Sequence, residues 1–246
     1  MRTNRAYIEG LLDIGARVAL PESAAAHLLR VLRLGVGDAC VLFNGDGHDY
    51  EARIVAADKR GGEVQVVAAH AVDNESPLRV VLVQGIARGE KMDWILQKAT
   101  ELGVCAFVPV ASDRSEVKLD AARAEKRLAH WRSVVVSACE QCGRARVPAV
   151  AAPSALAPAL AMLPADAVRL TLDPTAARGI ASLEAREGRG IVVAIGPEGG
   201  WSPRDRDTLA GADFIGLRLG PRILRTETAG IAAIAALQAA LGDLGA

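Results

Sequence analysis

The sequence predicts two domains, a small β-barrel or β-sandwich followed by an α/β domain built on a parallel sheet. Three observations support this fold class. Apolar runs up to residue 72 are short, alternating and separated by turn residues; the stretch DNESP has no apolar residue; beyond it, near-continuously apolar runs alternate with amphipathic ones. We therefore assign residues 1–72 to the first domain, 73–77 to a linker and 78–246 to the second domain.

The first domain carries the turn signals of paired antiparallel strands. Asn44-Gly45 and Asp46-Gly47 separate two apolar runs and predict a hairpin, and Gly61-Gly62 predicts a second turn. Residues 22–33 are the exception, because their apolar positions recur at helical spacing. We expect one helix among short strands.

In the second domain, five apolar runs predict strands that are covered on both faces: LRVVLVQG, VCAFVPV, VRLTL, IVVAI and FIGLRL. Between them, EKMDWILQKATELG predicts an amphipathic helix that ends at Gly103, and residues 120–141 predict a long helix. The last predicted helix, residues 226–241, has an apolar surface so broad that little of it can face water. We expect it to be buried within the domain or against a second copy of the chain, and we favour a homodimer.

The amino-acid composition limits which classes of protein and partner are expected. Of the 246 residues, 51% are hydrophobic, which is ample for a buried core. The 29 basic and 29 acidic residues balance, so the overall charge gives no reason to expect nucleic acid or a membrane as partner, and such a partner would need a local patch. The sequence shows no secretory signal and no apolar segment long enough to span a bilayer, so we expect a cytoplasmic protein.

Several common site signatures are missing. The Cys139–Cys142 pair ends a helical pattern instead of opening one, and the histidines lack ligand spacing, so we expect neither a redox site nor a metal site. The first strand of the second domain is followed by ARGEKMD and not by GxGxxG, and GxxxxGK[ST] and GxSxG are absent. Rossmann nucleotide binding, P-loop chemistry and a serine hydrolase elbow are therefore not predicted.

Two loops at predicted strand ends carry the strongest signals, because ligands of open α/β sheets bind where strands end. The first is IGPEGGWSP, in which Ser202 is the expected N-cap of a helix, Pro203 its first residue and Asp205 an acceptor for free amides. Its glycines let backbone groups approach a ligand. A tight strand-to-helix turn without a ligand is the alternative.

The second loop is LGPRILRTET, where Gly220-Pro221 turns the chain and Arg222 and Arg225 project from a segment otherwise suited to burial. These arginines need an anion, a base edge or a partner carboxylate, and Glu227 could supply the last in a plain ion pair. A basic stretch from Arg114 to Arg146 is a second candidate surface, with a solvated helix face as its alternative.

Taken together, four segments resemble the ribosomal RNA small subunit methyltransferase E family, within the SPOUT class of knotted methyltransferases: RGEKMDWILQKATELGV, ACEQCGRARVP, IGPEGGWS and LGPRILRTETA. The segments RTNRAY and HLLRVLRLGVGD are similar to that family's RNA-binding domain. The resemblance covers nearly the whole chain and is loosest around TLDP.

This resemblance implies a PUA-like β-barrel domain in front of a SPOUT α/β domain whose C-terminal part forms a deep trefoil knot, which periodicity alone does not reveal. It also implies that the two loops and the end of the preceding strand wrap S-adenosylmethionine, largely through backbone groups. The implied cofactor-binding residues are Leu172, Ile195, Gly196, Pro197, Gly199, Gly200, Leu219, Gly220, Ile223, Leu224 and Thr226.

The implied reaction is methylation of N3 of a uridine in 16S ribosomal RNA, in the decoding region of the small subunit. N3 carries a proton at neutral pH, so its methylation needs a general base, or cationic donors at O2 and O4 that stabilise the ring anion. Arg225 and Arg144 suit the second role, whereas Glu140 or Glu227 could be the base or could orient an arginine. We favour stabilisation by arginine, because no histidine lies near these motifs.

The first domain and the basic stretch would position the RNA through its phosphates. The candidates are Arg2, Arg5, Arg30, Arg33, Arg114, Lys118, Arg144 and Arg146. Aromatic residues are scarce, so shape and backbone contacts should dominate, and the assembled small subunit should be a better substrate than free RNA. Two alternatives stay open: a noncatalytic RNA-binding or ribosome-assembly protein on the same fold, and a SPOUT methyltransferase for another RNA position.

Overall fold

The computed structural model describes residues 4–58, 61–115, 121–183 and 189–245. The chain divides into two compact units, one of Met1–Glu75 with Val136–Val147 and one of Ser76–Val135 with Pro148–Ala246. No helix in the described ranges is long and apolar enough to cross a membrane. The same ranges hold no group of three or more His, Cys, Asp or Glu side chains arranged to bind a metal ion.

The first unit is built on an antiparallel sheet with one parallel edge. Its strands are β1 (Arg5–Tyr7), β2 (Arg17–Ala19), β3 (Ala39–Phe43), β4 (His48–Ala57) and β5 (Gly62–Ala71). Within the described residues these five strands follow the order β1-β3-β4-β5-β2, with β1 parallel to β3 and the other pairs antiparallel. The predicted hairpin joins β3 to β4, and β5 begins at the predicted second turn.

The helical segment of this unit is shorter and less regular than predicted. One α-helical turn, α1 (Glu22–Ala25), runs directly into a π-helical segment that ends at Val31. Two residues later Arg33 adopts a left-handed backbone with φ +56°, which ends any helix. The segment is anchored by Leu28, which is fully buried among apolar residues of the strands.

The second unit is a parallel α/β sheet, as the alternation of apolar and amphipathic runs predicts. Its strands are β6 (Val80–Gly85), β7 (Val104–Ala111), β8 (Ala149–Val150), β9 (Ser154–Ala155), β10 (Val168–Leu172), β11 (Ile191–Ile195) and β12 (Ile215–Leu217). Across the described residues the order is β12-β10-β11-β6-β7-β8, with β9 paired to the end of β7, and every pair is parallel. The central strand β11 is buried at all its positions.

Besides α1, the described residues form five α-helices: α2 (Glu90–Glu101), α3 (Ala121–Cys142), α4 (Leu156–Ala161), α5 (Pro203–Gly211) and α6 (Thr226–Leu241). The predicted final helix has the observed bounds of α6. One face of α6 packs against α2 and β11, so part of its broad apolar surface is covered within the unit. The short elements β8, β9 and α4 have no counterpart in the sequence prediction.

The units differ from the predicted domains in one segment. Their first division, between Glu75 and Ser76, lies inside the predicted linker at residues 73–77. Residues 136–147, which the prediction placed in the second domain, group instead with the first unit. Backbone pairing explains part of this, because Gly47 N donates to Ala145 O at 3.2 Å. Periodicity within α3 cannot reveal which unit its last turns join.

Candidate functional site

A cavity of about 890 Å³ lies where β10, β11 and β12 end. Its volume is within the range of pockets that hold cofactor-sized ligands. All eleven residues that the resemblance implies for cofactor binding line it: Leu172, Ile195, Gly196, Pro197, Gly199, Gly200, Leu219, Gly220, Ile223, Leu224 and Thr226. The fold thus brings together two loops that are about twenty residues apart in sequence.

The loop after β11 is folded tightly on itself. Gly200 adopts a left-handed backbone with φ +65°, and its N–H donates to Pro197 O at 2.8 Å. A Cβ on Gly196 would stand 3.1 Å from backbone atoms of Gly200, so the two ends of the turn are in near contact. A larger residue at Gly196 would therefore open the turn and displace this wall of the cavity, whereas at Gly200 it is the left-handed backbone that disfavours any other residue.

The same loop rests on the end of β6. A Cβ on Gly85 would lie 2.5 Å from Pro197 Cδ and 2.6 Å from Pro197 N. Gly85 is paired with Val110 of β7, so its own position is fixed by the sheet. The absent side chain at Gly85 is what lets the loop lie flat over the strand end.

The start of α5 holds the other side of this loop, in the manner that the sequence predicts. Ser202 is the N-cap: its Oγ accepts from Asp205 N at 3.0 Å, and Asp205 Oδ2 accepts from Ser202 N at 2.9 Å. Pro203 occupies the first helical turn, as expected. Ser202 Oγ also donates to Asp113 Oδ2 at 2.8 Å, which ties α5 to the residues that follow β7.

Glu198 fastens the loop to the start of α2. Its Oε1 accepts from Arg88 N at 3.1 Å and from Lys91 Nζ at 3.2 Å. Burial alone would raise the pKa of Glu198, but these donors and the charge of Lys91 outweigh it and hold the pKa below its ordinary value. The carboxylate is therefore ionised at neutral pH and acts as a clamp between the loop and α2.

The loop after β12 provides the opposite wall and its two arginines. Ile223 is 86% exposed, and Arg222 and Arg225 are also exposed where they line the cavity. Within the described ranges neither guanidinium forms a side-chain hydrogen bond or an ion pair. Those ranges contain no ion pair between either arginine and Glu227, and Glu227 Oε2 is buried without a hydrogen-bond partner there.

Several cavity residues were not singled out from the sequence. Trp201 is largely buried, and its Nε1 donates at 3.2 Å to Thr171 Oγ1, which itself donates to Ala194 O at 3.1 Å. Hydrogen bonds from the side chain and backbone of Thr175 lower the pKa of Asp173, which also lines the cavity. Their common signal is position, because Thr171 to Thr175 end or follow β10, and Trp201 follows β11, the neighbour of β10 in the sheet.

Glu140 and Arg144, two of the predicted catalytic residues, belong to the first unit and are not among the residues that line the cavity. Glu140 Oε1 accepts from Tyr7 N at 3.0 Å. Arg144 is 5% exposed, and its Nε donates to Glu75 Oε1 at 2.9 Å. Burial by itself would lower the pKa of Arg144, but the hydrogen bond and charge of Glu75 outweigh it and raise the pKa. Both side chains therefore hold the end of α3 within the first unit.

The predicted RNA-binding residues fall into three groups. Arg30, Arg33, Arg114 and Arg146 are exposed, and Arg114 also donates to Gly199 O at 2.9 Å and lines the cavity. Arg5 is buried, ion-paired with Asp49 and bonded to Arg144 O at 3.1 Å, so neither Arg5 nor Arg144 offers a free guanidinium to a phosphate. Arg2 and Lys118 lie outside the described residues.

Comparison with known proteins supports the same assignment. A family model described as an RNA methyltransferase domain matches residues 74–238, and one described as an RNA methyltransferase PUA domain matches residues 20–67. The ribosomal RNA small subunit methyltransferase E of Buchnera aphidicola subsp. Schizaphis graminum is 33% identical over 243 residues, covering 99% of this chain and 98% of that protein. The Bacillus subtilis protein of the same name is 32% identical over 86% of this chain and 85% of its own length.

Solved structures agree in fold over almost the whole chain. The ribosomal RNA small subunit methyltransferase E of Neisseria gonorrhoeae, bound to S-adenosyl methionine, has a TM-score of 0.90 and 40% identity over 98% of this chain and 99% of its own. A putative methyltransferase of Legionella pneumophila, also in complex with that cofactor, has a TM-score of 0.94 and 36% identity over 99% and 100%. The first unit thus contains a PUA-type domain, the second is an RNA methyltransferase domain of the SPOUT class, and the chain belongs to the ribosomal RNA small subunit methyltransferase E family.

Proposed function

We propose that this protein transfers the methyl group of S-adenosylmethionine to N3 of a uridine in 16S ribosomal RNA of the small ribosomal subunit, in its decoding region. The observation that carries the proposal is the cavity at the ends of β10, β11 and β12, lined by both glycine-containing loops. Support comes from the two similar structures that hold S-adenosylmethionine and from relatives named for small-subunit ribosomal RNA.

The residues of the cavity fit this cofactor. A wall of backbone groups, Gly196 to Gly200, faces apolar side chains such as Leu172, Leu219 and Leu224, which suits a flat adenine ring. Its volume of about 890 Å³ leaves room for a nucleoside with an amino-acid tail. When bound, the cofactor supplies an activated methyl group on a sulfonium. The protein must then align the uridine and weaken the hold of N3 on its proton.

Arg225 is the residue we assign to that second task. It is exposed at the cavity, precedes the first residue of α6, and has no partner among the described residues that would tie up its guanidinium. A guanidinium near O2 or O4 would stabilise the negative charge that forms when N3 loses its proton. In this proposal Glu140 and Arg144 have a structural role within the first unit. Glu227, which lines the cavity, remains the alternative as the residue that accepts the N3 proton.

RNA would be held by phosphate contacts away from the reacting base. Among the exposed arginines of the prediction, Arg30, Arg33 and Arg146 carry this role, and Arg114 would contact the RNA at the cavity itself. Because the chain has zero formal net charge, such contacts depend on local patches, and binding should weaken as salt rises. We also propose that the protein acts as a homodimer in the cytoplasm and that its C-terminal part is knotted, as the family resemblance implies.

Calorimetry and mapping of the methylated nucleotide test the proposal together. The protein should bind S-adenosylmethionine and should methylate assembled small subunits at one uridine N3, located by mass spectrometry of digested RNA. Methylation of a ribose oxygen or of another RNA would contradict the assigned reaction. Cofactor binding without any methylation of subunits would favour a noncatalytic RNA-binding protein.

The role of Arg225 has its own test. Arg225→Ala should lower kcat by roughly 100-fold or more while changing cofactor affinity little, because its interaction forms with the reacting base. Arg204→Ala is the matched control, since Arg204 is an exposed arginine of α5 that does not line the cavity. Equal losses of kcat and cofactor affinity in Arg225→Ala would count against the assignment.

A further inference from the structure

A chain of hydrogen bonds connects the end of β6 to both loops of the cavity. Gln84, fully buried, donates from Nε2 to Thr226 Oγ1 at 3.1 Å and to Gly85 O at 2.8 Å. Thr226 Oγ1 donates in turn to Gly196 O at 2.6 Å. Thr226 and Gly196 line the cavity, whereas Gln84 lies behind them and does not.

Proton counting fixes the direction of this chain. A threonine hydroxyl has one proton, and Thr226 uses it on the carbonyl of Gly196, which can only accept. Thr226 Oγ1 must therefore accept a hydrogen bond from the Gln84 amide. The carbonyl of Gly85 accepts a second hydrogen bond from the same amide. Both protons of the Gln84 amide are thus used, and Oε1 is left buried without a hydrogen-bond partner among the described residues.

An orphaned buried acceptor costs stability, so the arrangement needs a reason. The two donations hold the carbonyl of Gly196 and the first residue of α6 at a fixed distance from the end of β6. Gly196 begins one wall of the cavity, and Thr226 follows the residues that form the other. Pairing of β6 with β11 already holds Ile195 beside Gln84, and the side chains of Gln84 and Thr226 extend this connection to Gly196 O and to the start of α6.

We propose that Gln84 is a positioning residue that sets the width of the cofactor cavity through Thr226 and Gly196. This inference rests on the proposed function for the identity of the ligand. Gln84 touches no ligand itself; it acts by presenting two donors, one to the carbonyl of Gly85 and one to the hydroxyl of Thr226, whose own proton is given to Gly196 O. A glutamine is required there because glutamate has the same shape but lacks the amide donors.

Calorimetry with S-adenosylmethionine on single and double variants tests the link. Gln84→Glu removes the two amide donors and leaves a carboxylate facing the Gly85 carbonyl, and Thr226→Val keeps the threonine shape without the hydroxyl. Each should raise the Kd by roughly tenfold, equivalent to about 1.4 kcal/mol. Thr226→Ser, which keeps the hydroxyl, should bind more tightly than Thr226→Val. The double variant should bind about as weakly as the weaker single variant, because both changes break one chain of bonds.

A matched control separates positioning from general loss of stability. Gln238 is equally buried, lies on α6, accepts from Ser76 Oγ at 2.7 Å and donates to Leu102 O at 3.0 Å, but does not line the cavity. Gln238→Glu should also lower the melting temperature, because Leu102 O loses its donor, but it should leave the Kd for the cofactor within about twofold of wild type. At saturating cofactor, Gln84→Glu should recover most of its kcat, so its defect should be mainly in KM.

Clear outcomes would overturn the inference. Wild-type affinity in either Gln84→Glu or Thr226→Val would do so, as would full additivity in the double variant or an equal loss of affinity in Gln238→Glu. If Gln84→Glu does not fold, Gln84→Met, which has a side chain of similar length but no hydrogen-bond donor, takes its place in the same comparisons. Absence of cofactor binding by the wild-type protein would instead refute the proposed function.

Discussion

Replacing Gly85 by alanine is expected to displace the loop that forms one wall of the cavity. The new Cβ would stand 2.5 Å from Pro197 Cδ and 2.6 Å from Pro197 N, about 1 Å closer than carbon atoms normally approach. Neither side can yield cheaply, because Gly85 is paired with Val110 in the sheet and Pro197 is a ring on a tight turn. The loop that contains Gly196 must therefore move away from β6.

The size of the effect follows from this overlap. Overpacking of a buried site costs about 1–3 kcal/mol, and 1 kcal/mol lowers Tm by about 2–4 °C in a chain of this size, so Gly85→Ala should melt roughly 2–12 °C below wild type. Since the displaced loop is a wall of the cavity, the Kd for S-adenosylmethionine should rise by at least about tenfold. Thermal unfolding and calorimetry measure the two quantities on the same preparation.

The same substitution at Gly230 should have the opposite effect. A Cβ there would lie 3.7 Å from both Gln84 Oε1 and Ile195 Cγ1, an ordinary contact, and Gly230 lies inside α6. Gly230→Ala should thus stabilise the protein by about 0.8–1 kcal/mol, with an unchanged Kd. The reasoning fails if Gly85→Ala keeps the wild-type Tm and Kd, or if Gly230→Ala proves as harmful.

Two further substitutions probe the frame of the site, and one labelling experiment probes the first unit. Ser202→Ala removes the N-cap of α5 and should lower the free energy of unfolding by about 0.5–2 kcal/mol in denaturant titrations. Glu198→Gln should cost less than about 1 kcal/mol near neutral pH, because its partner Lys91 is partly exposed. Since the pKa of Glu198 is lowered on folding, the advantage of wild type should be complete above the ordinary value of 4.5 and should be lost as the pH falls from there through the lower pKa of the folded protein. Burial raises the pKa of Cys139 to about 12, so this thiol should resist maleimide in the folded protein at about pH 8, as mass spectrometry can check.

Features that depend on neighbouring residues alone could be predicted from the sequence. The capping box at Ser202 and Asp205 needs only four consecutive positions, and its hydrogen bonds are those expected. The bounds of α6 follow from the same local logic, and the parallel sheet follows from the alternation of apolar and amphipathic runs. Position at strand ends was enough to select two loops that the fold brings to one cavity.

Features that depend on a distant partner could not be predicted in this way. Arg144 on a helix end suits a phosphate or a catalytic role equally well until its partner is known, and that partner, Glu75, lies 69 positions away. Arg5 is similar, because its pairing with Asp49 and its contact with residue 144 depend on how the first unit closes. A charged residue shows its type in the sequence, whereas its availability to a ligand depends on the folded chain.

Gln84 and Gln238 show the same difference between what residue type reveals and what the folded partners determine. Both are fully buried glutamines that bond to a hydroxyl and a backbone carbonyl, so residue type and burial alone do not separate them. What separates them is the other end of each chain of bonds: Thr226 and Gly196 for Gln84, and Ser76 and Leu102 for Gln238. One wall of the cavity, residues 196–200, is rich in glycine and offers few side chains whose removal would report on ligand contact. The affinity of the cavity should therefore be most sensitive to residues behind the wall, such as Gly85 and Gln84, which fix where that backbone lies.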